Sequence, residues 1–183
     1  MKWPSDFEEI IKYSEKRIRK FNFDNQTANF LIQNGLPEDA APFLNFSDDS
    51  DDKYSGILKL TDRFDFLEQE FERYVVIGSN GNGDEIAIDT EDNCKIKLLD
   101  HEDYFSEQFI NASIDKFAFS LIAYRTFISK TLEKYGEGGF LDCKYSLEDV
   151  QKLQHILEEN DNDAFIGDSM WISEITMLKE EKE

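Results

Sequence analysis

Residues 73–99 constrain the fold more than any other part of this chain. "RYVVIG" is extended and apolar, "DEIAID" alternates, and "CKIKLL" alternates again. Side chains on a strand point to opposite faces in turn, so an alternating run reads as a half-buried strand. "TEDN" between the last two runs is rich in turn formers. The reading is a three-stranded antiparallel meander.

The connection between the first two runs, "GSNGNGDE" at 78–85, has three competing readings. A dinucleotide loop needs GxGxxG between a strand and a helix, so that the helix N-terminus meets the pyrophosphate. Gly78, Gly81 and Gly83 have the wrong spacing, and a strand follows. A phosphate loop needs Gly-Lys-Ser/Thr, which is absent. A calcium loop comes closer, with Asn80, Asn82 and Asp84 at alternate positions and Glu91 where a bidentate ligand would sit. Its obligatory glycine is replaced by Glu85, and no helices flank it. Asn-Gly pairs tolerate positive φ, so a hairpin turn without phosphate or metal is expected.

Helical patterns lie on both sides. "SDFEEIIKYSEKRIRKF" predicts a first helix, with Ser5 and Glu8 in capping-box spacing. "NQTANFLIQNG" predicts a second, stopped by Gly35 and Pro37. "APFLNFS" and "GILKL" read as short strands, and "DRFDFLEQEFERY" as a helical turn before extended chain. "DHEDYFSEQFINAS" reads as a polar connection. From 114 to 135, Ile114, Phe117, Leu121, Ile128, Leu132 and Tyr135 follow the helical period, with Ser113 as N-cap and Gly136 as the stop. "SLEDVQKLQHILEEN" predicts another helix with Ser146 and Asp149 in capping-box spacing, and "SMWISEITMLKEEKE" a last helix or strand. The expectation is one α+β domain over 1–183, a largely antiparallel sheet packed by helices. A helical extension is expected at 1–22 and a frayed tail at 179–183.

Charge narrows the function. There are 40 acidic and 20 basic residues, a net charge of -20. The first twenty residues hold six basic and four acidic side chains, which leaves -22 on the rest. Such a field repels nucleic acid and anionic membranes and speeds encounter with a basic partner. "MKWPSDFEEI" has no apolar stretch of a signal peptide, and no run approaches the roughly 18 residues of a membrane span. Cys94 and Cys143 lie far apart without metal spacing, as expected of reduced, cytoplasmic thiols.

Catalysis finds little support. Nucleophilic catalysis needs a base beside a nucleophile, and the histidines are His101 in an acidic loop and His155 in a helical pattern. "HEDYF" is not HExxH. Both cysteines sit among strand-like or core-like residues, where a buried hydrophobe is the simpler reading. The aromatic residues lack the basic interleaving of a nucleic-acid platform. The chain reads as a non-enzyme without cofactor or metal.

The order of pieces resembles the SUKH superfamily, in particular its bacterial immunity proteins. The resemblance rests on "FLIQNGLP", extended "YVVIG", the hairpin "GNGDEIAID", the strand "CKIKLLDH" and "FINASIDKFAFSLIAY", over roughly residues 28–128. Trp171 is compatible with a family aromatic near the C-terminus. The resemblance implies an α+β fold and a non-catalytic role in neutralising a toxin, often a nuclease, encoded beside the immunity gene. Fungal relatives imply the alternative, a regulatory or scaffolding module.

A basic toxin would meet acidic loops rather than a catalytic pocket. The candidates are Asp48, Asp49, Asp51 and Asp52 in one loop, Asp84 and Glu85 at the hairpin, and Glu102 and Asp103 after the meander. For each alone, a solvated negative surface is the bland alternative.

Overall fold

The strands of the meander form the centre of a seven-stranded antiparallel sheet in the computed structural model, which describes residues 2–182. In chain order the strands are β1 (Ile10–Ile11), β2 (Leu36–Pro37), β3 (Asp39–Ala40), β4 (Leu44–Phe46), β5 (Leu58–Lys59), β6 (Tyr74–Asn80), β7 (Glu85–Asp89), β8 (Lys95–Asp100) and β9 (Ser106–Asn111). The helices are α1 (Glu15–Ile18), α2 (Asn25–Gln33), α3 (Leu60–Arg63), α4 (Ile114–Tyr135), α5 (Leu147–Asn160) and α6 (Met170–Glu180). The sheet runs β3-β4-β6-β7-β8-β9, with β5 also paired to β6, while β1 and β2 form a separate two-stranded piece.

Alternation along β6 and β7 produces two cores. Val75, Ile77, Ile86 and Ile88 face the helices and join Phe117, Leu121, Ile128 and Trp171. Tyr74, Val76 and Ala87 face the other way, against Leu60, Phe71, Leu99 and Phe105. Phe46 on β4 meets Phe117 on α4 edge-on at 5.9 Å between ring centres, which seats the long helix on the sheet. The same alternation aims Glu85 and Asp89 into the second face rather than to solvent.

Three expectations change. The first helix does not form over the N-terminal run: Ile10 and Ile11 pair with Leu36 and Pro37, and only Glu15–Ile18 is helical. Ser14, not Ser5, caps that turn by accepting from the Arg17 amide at 3.3 Å. Trp3, Phe7, Tyr13 and Ile18 are buried in the main core, and Tyr13 donates to the Ser47 carbonyl at 2.7 Å. Tertiary pairing outweighs helix propensity here. Second, the polar connection after the meander contains β9, which makes the meander four-stranded. It is an edge strand, and an edge tolerates the polar residues that hid it. Third, Ser113 holds the N-cap position of α4 without a side-chain capping bond.

Elsewhere the elements fall where the pattern puts them. The capping box of α5 is complete, with Ser146 and Asp149 each bonded to the other's backbone amide. The last segment is the helix α6, whose Lys179 donates to Gln154 at 2.7 Å, and just beyond it Lys182 donates to the Cys143 carbonyl. Residue 183 of the expected frayed tail lies outside the described residues. Trp171 Nε1 donates to Asn111 at 2.9 Å, and Asn111 donates to buried Asp161 at 2.9 Å. Asp161 also accepts from Lys116 at 3.0 Å, so this buried carboxylate is paired and bonded.

Candidate functional site

The acidic residues singled out by the sequence fall into three structural settings. The first is the loop between β4 and β5. Asp52 accepts from the amides of Tyr54 and Ser55 at 2.9 and 3.0 Å, and these bonds hold its carboxyl below the usual carboxylate range. Gly56 closes the loop, because a Cβ there would lie 2.3 Å from the Ser50 carbonyl oxygen. Asp48 is half-buried. Asp49 accepts from the Ser14 hydroxyl at 3.2 Å and lies 3.7 Å from Arg17 Nε. Asp51 pairs with Arg17 and, at 2.9 Å, with Lys20; hydrogen bonds from these two cations lower its pKa to about 2. The basic first segment therefore folds onto this loop and neutralises part of it.

The second setting is the buried face of the sheet, and it corrects the reading of Glu85. Glu85 is the first residue of β7, and its side chain points under α3. Arg63 Nη1 donates to Glu85 Oε2 at 2.9 Å, and both side chains are buried. Burial pushes the Glu85 carboxyl up, against the pull of Arg63. Glu85 is thus an internal partner rather than a surface carboxylate. Asp89, two residues on and on the same face, is likewise buried against Arg73, whose Nε donates to it at 2.9 Å.

The third setting is one end of the sheet, where the β6–β7 hairpin and the β8–β9 connection meet. The glycine-rich stretch is the tight turn expected: Asn80 Oδ1 accepts from the Asn82 and Asp84 amides, each at 2.9 Å, and Gly83 takes φ +92°. Asp84 is 13 % exposed and lies 2.8 Å from His101 Nδ1. This bond raises the His101 pKa. Asp100 accepts from the amides of Glu102 and Asp103 at 2.8 and 3.3 Å, which shapes the 3-10 turn His101–Asp103. Glu102 and Asp103 themselves are exposed and have no ion pair among the described residues.

Asp84, Asp100 and His101 bring potential ligand atoms within 4.8 Å of one another. The hydrogen bonds just described account for that cluster. His155 is exposed near Glu159, Cys94 is buried, and Cys143 is half-buried. The Cys143 thiol lies 3.7 Å from Glu181 Oε2. No helix is long and apolar enough to cross a membrane among those residues.

The structure thus brings Asp84 together with Glu102 and Asp103, and keeps Asp48–Asp52 on a separate loop. The sequence missed Arg17, Lys20 and Arg63 as the cations that claim part of the acidic set. The basic cluster of the first twenty residues was the available signal, but it does not say which carboxylates it meets. No curated protein and no solved structure matches the chain. The model of the SUKH-4 immunity protein family matches residues 7–175, and the chain belongs to that family.

Proposed function

We propose that this protein neutralises its toxin by binding it directly, and that the toxin is a nuclease. Family membership gives the role in immunity to a toxin. The mode of action is read from charge. A nuclease must draw in phosphate, so its cleft is basic. A net charge of -20 on an immunity protein is the observation that carries this reading. Carboxylates in the basic cleft take the place of phosphate, and the opposite fields raise the association rate. No catalytic step is needed, and the protein acts as a stoichiometric inhibitor.

The test is co-expression with the toxin-like reading frame of the neighbouring gene. Cells carrying that toxin alone should lose viability and nucleic acid, and cells carrying both should keep both. A one-to-one complex should survive purification at low salt. Rescue without any complex would overturn direct binding, and a toxin that leaves nucleic acid intact would overturn the nuclease assignment.

A further inference from the structure

A large concave surface lies beside the acidic end of the sheet. It is a cleft of about 790 Å³ between the β3–β4 connection, residues 140–145 and α6. Three large apolar side chains stand exposed around it: Phe43 (77 %), Leu141 (79 %) and Met177 (47 %). Two rim residues, Phe43 and Cys143, hold left-handed backbone at φ +52° and +51°, a conformation that costs energy for residues with a side chain. Glu174 lines the cleft, and Tyr124 donates its hydroxyl to it. Gly81 of the β6–β7 turn packs against Phe43, so the cleft adjoins the turn that carries Asp84.

The charge of the lining is acidic. Asp39, Glu174 and Glu181 face it, against one cation, Arg125, whose guanidinium is held by Asp6. Burial pushes the Glu174 carboxyl up, a cost that an incoming cation would relieve. The chain's own Lys182 already sits at the edge, 4.9 Å from the centre of the Tyr145 ring. By contrast, the apolar groove between α4 and α5 is rimmed by Lys130, Lys134 and Lys152, the wrong sign for a basic partner.

An apolar mouth with an acid below it fits a side chain with an aliphatic stem and a cationic head. Arginine suits it better than lysine, because its planar guanidinium is less strongly hydrated, bonds carboxylates and stacks on aromatic rings. We infer that the cleft receives an arginine of the toxin, its stem against Phe43, Leu141 and Met177 and its guanidinium at Glu174. This rests on the reading of the chain as a direct binder of a basic toxin. The cleft would then be the anchoring pocket of the interface, and the carboxylates of the neighbouring turns its polar rim.

Butylguanidinium, an arginine side chain carried as far as its α-carbon, is the probe. Methyl NMR of the full chain should show saturable shifts at Met177 and Leu141, with a midpoint on the order of millimolar for so small a ligand. Glu174→Gln preserves the shape of the site and should weaken the probe about tenfold by removing a charged hydrogen-bond partner. Neutral butylurea should not saturate. Leu141→Asn, at an exposed position where the fold is not at risk, should weaken the toxin complex. An unchanged midpoint in Glu174→Gln, or shifts spread equally over methyl groups remote from the cleft, would overturn the pocket even if the toxin binds. Saturable probe binding without any toxin complex would instead remove the toxin as occupant and with it the direct-binding reading.

Discussion

Residues 48–56 and residues 100–103 are both acidic turns, and they differ in what faces their carboxylates. In the first, Asp49 and Asp51 pair with Arg17 and Lys20, and Asp52 organises its own loop. In the second, Asp100 shapes the backbone, while Glu102 and Asp103 stay exposed without an ion pair among the described residues. Similar sequence composition therefore yields one turn that is largely self-neutralised and one that is open to a partner. Counting acids overstates the first turn and understates the second. Arg63 ties the first turn to the sheet: Nη1 holds Glu85 at the start of β7, and Nη2 donates at 2.9 Å to the Gly56 carbonyl, where the first loop ends.

The largest expected effect breaks that joint. Arg63→Ala leaves Glu85 buried without its cation, which should cost about 3–5 kcal/mol in denaturant unfolding. A loss below about 1 kcal/mol would mean that the first turn and β7 are not tied through this side chain.

The next tests the self-neutralised turn alone. Arg17→Ala should lower amide protection over 48–55 by about tenfold, the scale of one lost charged hydrogen bond, and leave 100–103 unchanged. Acid should act in the same way on the unmutated protein. The Asp51 carboxyl is depressed from 3.8 to about 2, so its contribution is present above the unfolded value and lost as pH falls through the folded one. Hydrogen exchange should report loosening of the loop across that window. Equal loosening of both turns would erase the distinction between them.

The smallest effect is on partner capture. Neutralising Glu102 and Asp103 together should slow toxin association by a few-fold, because exposed charges act on encounter and are screened over about 8 Å at physiological salt. Neutralising Asp49 and Asp51 should slow it less. The reverse order would show that the 48–56 loop is the contacting surface.

These differences follow the limits of what the chain shows as a string. The meander and α4 were legible because β7, β8 and the long helix carry a sustained period over their whole length. β9 was not, because an edge strand has no need of strict alternation. The first helix was misread because Phe7, Ile10, Ile11 and Ile18 fit a helical face, while pairing of Ile10 and Ile11 with β2 depends on Pro37 and Leu36, 27 and 25 positions away. At the candidate site, the turn at 80–84 was legible from its own asparagines and glycines. The fate of Glu85 was not: it depends on Arg63, which is 22 residues distant and reaches it only when α3 covers the second face. Local chemistry is readable locally, and ion pairing across the fold is not.

The most direct test of the account is the association rate of the unmutated protein with the proposed nuclease toxin, followed by stopped flow across a salt series. Direct binding steered by the acidic surface predicts a fast rate at low salt that falls steeply as salt rises. A salt-independent rate, or no complex at any salt, would contradict it.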